Sequence, residues 1–149
     1  MDERIFIPEP TYYGEWKFDH SVLKARADRL VLDLPAVMEE LGADHIVVHG
    51  TSGTMIAPVL LYLMPELRVV MIRKPREHCH GNLIEGLYGK YRRGLFLDDF
   101  VISGDTVGRV IDLHKCDVVG VLCHDSSEIA EAPPTRASSR THGLPRFIY

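Results

Sequence analysis

The sequence is poor in the features that mark several large classes of protein. It has only three cysteines among 149 residues, and Cys79, Cys116 and Cys123 form no paired spacing. This argues against a disulfide framework and predicts free thiols in a reducing compartment, most simply the cytoplasm. No apolar run approaches the roughly 18 residues of a membrane-spanning helix. The first ten residues also lack the basic and apolar regions of a secretory signal, so we expect neither a membrane span nor export.

An excess of positive charge is also missing. The formal net charge is −4, whereas a sequence-independent hold on nucleic acid needs a strong basic excess. The hydrophobic fraction of 46% and the charged fraction of 26% are ordinary for a globular chain. A chain of this length predicts one domain, which we take as residues 1–149, with no nucleic-acid or membrane partner.

Short apolar runs alternate with helical patterns along the middle of the chain. Continuous apolar strands separated by helices predict an α/β protein whose parallel sheet is covered on both faces. Pro35 predicts a kink, or two helices, in the first helical segment. The predicted strands cover residues 45–50, 67–74, 95–102 and 116–125, and the predicted helices cover residues 19–41, 51–64 and 104–115.

The remaining segments show no clear period. Residues 76–94 contain four glycines, which predicts a mobile loop that includes at most a hairpin. The tail from Ser126 onwards is polar and rich in proline and serine, so we expect a loop apart from its apolar end. A short strand and a turn are expected within residues 4–16.

The stretch "LFLDDFVISGDTVGRV" places two acids at the end of a predicted buried strand. In an open parallel sheet, ligands bind beyond the carboxyl ends of the strands, and Asp98 and Asp99 are expected there. The small polar turn at residues 103–106 leads into a helix, so its backbone N–H groups favour a phosphate. Carboxylates beside such a turn suit the hydroxyls of a ribose. The combination predicts a ribose 5-phosphate site, with a generic phosphate-binding turn as the alternative.

Three stretches then resemble the type I phosphoribosyltransferases. "FLDDFVISGDT" is similar to the family's signature, in which two acids and a few apolar residues precede a Ser/Thr-Gly-x-Thr loop. "VVHGTSGTMIAPVLLYL" resembles its first loop, which binds the pyrophosphate of phosphoribosyl pyrophosphate. "MIRKPREHCHGNLIEG" resembles its flexible catalytic loop, most nearly that of the orotate phosphoribosyltransferases. An ordinary strand-to-helix connection is the alternative for the second stretch.

The resemblance implies a single-domain, Rossmann-like type I phosphoribosyltransferase fold, with a central parallel sheet flanked by helices. The core would span about residues 19–125, and a small hood would come from residues 1–18, 126–149 or both. Each of these two segments contains aromatic residues that would either stack on the base or simply pack the hood. They are Tyr12, Tyr13 and Trp16 near the start, and Phe147 and Tyr149 at the end.

The resemblance also implies a reaction. A Mg²⁺-dependent enzyme would transfer ribose 5-phosphate from phosphoribosyl pyrophosphate to a nitrogen of a nucleobase and release pyrophosphate. Asp99, Lys74 and Arg73 would be catalytic, with Arg76, His78 and His80 as second choices in the loop. Asp98 and Asp99 would hold the metal through water. The implied phosphoribosyl pyrophosphate site comprises Asp98, Asp99, Ile102, Ser103, Gly104, Asp105 and Thr106, together with Gly50, Thr51, Ser52 and Gly53.

Two questions stay open, namely which base is the substrate and whether the protein is an enzyme. Orotate enzymes carry Asp-Arg after the last core strand, whereas this chain has Asp125 followed by Ser126, which weakens orotate as the substrate. A non-catalytic protein of the same fold that senses phosphoribosyl pyrophosphate or a nucleotide is the other interpretation, although Arg73 and Lys74 favour an enzyme. Family members with a similar loop commonly pair, so the resemblance also implies a homodimer.

Overall fold

A computed structural model describes residues 19–74, 82–86, 91–99, 104–114, 117–124 and 141–149 of the chain, and leaves aside the side chain of Ser52. These residues form three helices and six strands. The helices are α1 (His20–Leu41), α2 (Gly50–Leu63) and α3 (Asp105–Leu113). The strands are β1 (His45–His49), β2 (Val69–Ile72), β3 (Ile84–Gly86), β4 (Arg93–Leu97), β5 (Asp117–Cys123) and β6 (Arg146–Ile148).

The six strands form one sheet in the order β3-β2-β1-β4-β5-β6. All neighbouring strands are parallel except β2 and β3, which run antiparallel. After β1 the chain moves towards β2 on one side, and it later returns to place β4 on the other side of β1. The predicted α/β fold with a central, mainly parallel sheet and flanking helices is therefore confirmed.

Successive residues of these apolar strands point to opposite sides of the sheet. Both faces therefore carry apolar side chains, and both are covered by helices. Helices α1 and α2 pack on one face, and α3 packs on the other. The sheet residues beneath α1 and α2 are Ile46, Val48, Leu95, Leu97 and Leu122. The sheet residues beneath α3 are Val47, Ile72, Phe96, Val121 and Cys123.

Helix α1 begins and ends at residues that cap it. The Asp19 side chain accepts a hydrogen bond of 3.0 Å from the Val22 N–H, which satisfies one of the unpaired donors of the first turn. Gly42 ends the helix in the left-handed conformation, with φ of 61°. The expectation of two helices is wrong: Pro35 lies inside a single helix, because the buried apolar stripe continues on both sides of it and offsets one lost hydrogen bond.

Several predicted boundaries move. Strand β3 forms a hairpin with β2 inside the segment expected to be a loop. The tail contributes β6, which pairs with β5, so Phe147 and Tyr149 join the main core instead of a separate hood. The strand expected within residues 4–16 lies outside the described residues, and the division into one domain stays a prediction. In the part of the chain that the structure describes, no helix combines the length and apolarity needed to cross a bilayer.

Candidate functional site

The carboxyl ends of β1 and β4 lie side by side in the sheet. Val48 pairs with Leu97 in the parallel register of these strands. The residues that follow, Gly50 after β1 and Asp98 after β4, therefore emerge at the same rim. This is the point where the strand order reverses, which is the usual ligand-binding position in an open α/β sheet.

Asp98 and Asp99 follow β4 and are both buried, each with 8% exposure. The predicted strand over residues 95–102 is too long, since β4 ends at Leu97. The Asp98 carboxylate accepts a hydrogen bond of 2.9 Å from the Asp99 N–H, so that donor is satisfied by a side chain instead of a neighbouring strand. Backbone pairing with β5 continues on the other side, where the His124 N–H donates to the Asp99 carbonyl at 2.8 Å. The acids thus occupy a fixed turn directly beyond the strand.

The predicted pyrophosphate loop, residues 50–53, is the first turn of α2. We expected a turn before the helix, but the helix begins at Gly50 itself, immediately after β1. Gly50 has φ of 64°, a conformation that favours glycine. A Cβ on Gly53 would lie 2.4 Å from the Cβ of Val48, so the missing side chain allows α2 to start directly against β1. This close start presents backbone N–H groups to the rim.

Lys74 and Arg73 both reach this loop from the end of β2. A Cβ on Gly50 would lie 3.3 Å from Cε of Lys74 and 3.9 Å from its Nζ, so the lysine lies over the glycine. Arg73 lines a cavity of about 330 Å³ together with Gly50, Thr51 and Glu85. The structure therefore brings the two predicted catalytic cations to the predicted pyrophosphate loop.

Only part of the predicted phosphate turn belongs to the described residues. Gly104 precedes α3 with φ of 85°, and no side chain caps the helix there. Asp105 and Thr106 are exposed in its first turn. The Gly104 carbonyl accepts a hydrogen bond of 3.1 Å from His142 Nε2. Ile102 and Ser103 lie outside the described residues, as do the loop candidates Arg76, His78 and His80, the aromatic residues Tyr12, Tyr13 and Trp16, and Asp125 and Ser126.

Tyr149 anchors the end of the chain behind the acidic turn. Its hydroxyl accepts hydrogen bonds from Arg26 Nη2 at 2.8 Å and Nε at 3.3 Å, and it lies 3.5 Å from the Asp98 carbonyl. Burial raises the pKa of Tyr149 to about 12, against the opposing effect of the Arg26 charge. The hydroxyl is therefore neutral at physiological pH. This burial favours the interpretation that Tyr149 packs a core over the one in which it stacks on a base.

Sequence reasoning missed three residues that complete these contacts. Glu85 pairs with Arg73, His142 contacts the phosphate turn, and Arg26 binds Tyr149. Arg26 carried a signal in the sequence, since it is a charged residue beside the apolar stripe of α1. The structure buries it to 3% exposure. The other two depend on the β2–β3 register and on the path of the tail.

The arrangement defines an α/β protein with a candidate ligand site at its topological switch point, and solved structures share its fold. An orotate phosphoribosyltransferase from Francisella tularensis aligns with a TM-score of 0.63 and 14% identity, over 89% of this chain and 67% of that one. An adenine phosphoribosyltransferase from Saccharomyces cerevisiae, complexed with an imino-altritol bisphosphate and adenine, gives 0.59 and 16%, over 87% and 79% of the two chains. An orotate phosphoribosyltransferase from Mycobacterium tuberculosis gives 0.52 and 23%, over 89% and 73%.

The sequence itself matches no protein-family model and no curated protein. The structural likeness shows that this chain has the type I phosphoribosyltransferase fold. At identities between 14% and 23% it shows the fold alone.

Proposed function

We propose that this protein is a cytoplasmic, Mg²⁺-dependent phosphoribosyltransferase, which transfers ribose 5-phosphate from phosphoribosyl pyrophosphate to a nitrogen of a nucleobase. One observation carries the proposal. The acidic turn after β4 and the glycine turn after β1 lie on adjacent strand ends, and Lys74 lies over Gly50 between β1 and β2. A sugar that carries a phosphate at one end and a pyrophosphate at the other needs this order of groups along a sheet rim.

Each part of the substrate has a partner in this arrangement. Gly104 and the first residues of α3, Asp105 and Thr106, offer N–H groups to the 5-phosphate, and Ser103 adds a hydroxyl. Asp98 and Asp99 accept hydrogen bonds from the ribose hydroxyls. The pyrophosphate lies on the first turn of α2, which comprises Gly50, Thr51, Ser52 and Gly53.

The proposed reaction requires the protein to stabilise the charges that develop on the sugar and on the leaving group. Breaking the bond between C1 of the ribose and pyrophosphate leaves positive charge on the sugar and negative charge on the leaving group. Lys74 and Arg73 compensate the leaving group, and the Asp99 carboxylate stabilises the sugar cation. Because little covalent chemistry is required of the side chains, catalysis rests on holding base and sugar in line and on excluding water.

The residues at the rim fit Mg²⁺. This ion prefers oxygen ligands and usually keeps several waters, bound through one or two carboxylates together with substrate phosphates. Asp98 and Asp99 supply two carboxylates beside the pyrophosphate loop. No group of three potential ligand side chains gathers anywhere in the described residues, the rim included. When bound, the ion would neutralise the pyrophosphate as it leaves. Asp98 and Asp99 would hold it, through water.

A screen of pyrophosphate release tests the proposal. The purified protein would be incubated with phosphoribosyl pyrophosphate, Mg²⁺ and single bases, which include orotate and adenine because the structural relatives act on them. We expect release that depends on one base and on Mg²⁺. Tight binding of phosphoribosyl pyrophosphate without release, for every base, would favour the non-catalytic sensor. Neither binding nor release would refute both functions.

Asp99→Asn tests the role of the acidic turn. The amide keeps the shape of the side chain and removes its charge, so we expect kcat/KM to fall about 100-fold through loss of electrostatic stabilisation. Asp112→Asn, an exposed position on α3, is the matched control and should keep full activity. Full activity of Asp99→Asn would contradict the assignment of this acid to the sugar.

A further inference from the structure

Glu85, which pairs with Arg73, has no role in the proposed reaction. Arg73 Nη2 lies 2.8 Å from Glu85 Oε2, and both residues line the cavity beside Gly50. The hairpin fixes this pairing. Glu85 is the register partner of Met71, and the Arg73 N–H donates to the Leu83 carbonyl at 2.8 Å.

The Glu85 carboxylate is unfavourable in a pyrophosphate site, because it has the same sign of charge as the ligand. An anion that enters the cavity meets the guanidinium already neutralised, and a like charge beside it. The hydrogen bonding of Arg73 is also incomplete. Among the described residues, its buried Nε has no acceptor, and an unsatisfied buried donor costs free energy.

The Arg73–Glu85 pair is weak enough to be exchanged. The two side chains keep 34% and 37% of their surface exposed, and ion pairs in such surroundings contribute little to stability. Bonds from a guanidinium to phosphate oxygens are stronger, because both partners are charged and the planar fork matches two oxygens. A pyrophosphate group that binds here is therefore expected to displace Glu85 from Arg73, and the displacement would cost part of its binding energy.

We propose that Glu85 is a built-in competitor for Arg73, which weakens the hold of the site on pyrophosphate and on related di- and polyphosphate groups. The inference rests on the proposed function, since it concerns the same loop. Glu85 holds the guanidinium before the anion enters and takes it back as the anion leaves. The site thereby gains faster release of its product at the expense of affinity.

Titration calorimetry with inorganic pyrophosphate and Mg²⁺ tests this competition. Glu85→Gln keeps an amide oxygen that accepts from Arg73 but removes the negative charge. We expect the variant to bind pyrophosphate about three- to ten-fold more tightly than the natural protein, and the gap to narrow at high salt. Stopped-flow dissociation should show the same gain as slower release. Glu85→Thr, which also suits a strand, serves as a second neutral variant if the glutamine variant does not fold.

The matched control is Glu66→Gln. Glu66 lies before β2, at the opposite end of that strand from Arg73, and its carboxylate is 4.0 Å from Arg68. This variant removes the same charge from the molecule and should leave pyrophosphate affinity unchanged.

The outcomes separate the competition from the proposed function. Pyrophosphate binding that is equal or weaker in the neutral Glu85 variants would overturn the competition and leave the phosphoribosyltransferase proposal standing. An equal gain in Glu66→Gln would overturn it too, since net charge alone would explain the effect. No binding by any of these proteins would refute the pyrophosphate loop itself.

Discussion

At the residue scale, the close approach of α2 to β1 depends on the absence of a side chain at Gly53. A Cβ there would lie 2.4 Å from Val48 Cβ and 3.2 Å from its Cα. Gly53→Ala should therefore lower the free energy of unfolding by about 3 kcal/mol, because α2 and β1 must move apart to make room for the added methyl group. Urea denaturation measures this loss.

Gly143→Ala is the matched control for Gly53→Ala. Gly143 has φ of 81°, but a Cβ added there would meet no atom within 4 Å, so only backbone strain of about 1 kcal/mol is expected. Equal losses in the two variants would mean that α2 moves away from β1 without cost.

Asp44 makes the stability of the fold depend on pH in the acid range. Its carboxylate lies 2.5 Å from His45 Nδ1 and accepts from the N–H groups of Arg92 and Arg93 at 2.9 and 3.3 Å. Burial raises the pKa of Asp44, but these hydrogen bonds outweigh it and leave the pKa below 3.8. A depressed carboxyl pKa stabilises the fold above pH 3.8, and this contribution is lost as the pH falls towards the folded value.

Asp44→Asn tests that contribution. We expect the variant to be about 1 kcal/mol less stable than the natural protein at pH 7, owing to weakened hydrogen bonds, and the gap to close below pH 3.8. Urea denaturation at pH 7 and pH 3 measures both, with Asp112→Asn as the control for removing one charge. A gap that stays constant or widens at pH 3 would contradict the assignment.

At the element scale, the interiors of the strands and helices could be predicted and their ends could not. The apolar runs of β1, β4 and β5 are long enough to require burial on both faces. The end of β4 depends on a local competition, in which the Asp98 carboxylate takes the Asp99 N–H. Strand β6 has only three residues and no alternation of its own. It is a strand because it pairs with β5, which the local sequence does not indicate.

The candidate site divides in the same way. Asp98, Asp99 and Gly50 could be placed at one rim because parallel strands bring their carboxyl ends together. The pairing of Arg73 with Glu85 needed the register of the β2–β3 hairpin, which a glycine-rich segment does not reveal. His142 needed the path of the tail.

Tyr149→Phe tests how strongly the tail holds the sheet edge. The change removes only the hydroxyl that accepts two hydrogen bonds from the buried Arg26, so we expect a loss of about 2 kcal/mol in unfolding free energy. Tyr62→Phe, at a tyrosine with 86% exposure, should change nothing. A loss below about 0.5 kcal/mol at Tyr149, within the range of ordinary surface changes, would mean that Arg26 finds another acceptor.

At the scale of the whole molecule, apolar surface remains outside the two cores. Leu32 on α1 and Tyr62 on α2 are 73% and 86% exposed, and Leu61 and Leu63 beside Tyr62 are 42% and 44% exposed. Contiguous exposed apolar residues commonly mark contacts between chains. We predict a homodimer, and sedimentation that shows a monomer at assay concentration would contradict it.

Subunit mixing tests whether such a dimer shares its sites. If the loop of one subunit serves the site of the other, combining Lys74→Ala with Asp99→Ala chains restores partial activity, since one hybrid site has both residues intact. Each variant alone is the control and should have strongly reduced activity. No recovery despite measured subunit exchange would leave each chain with its own complete site.

The strand order has a consequence for how the protein folds. Strand β1 pairs with β2 across the short unit that contains α2, but with β4 only after the chain from residue 50 to residue 92 closes into a loop. Closing the longer loop costs more entropy and delays non-local pairing. The rim that joins Gly50 to Asp98 therefore forms late, after the first half of the sheet. In refolding experiments, recovery of ligand binding should lag behind recovery of helical circular dichroism.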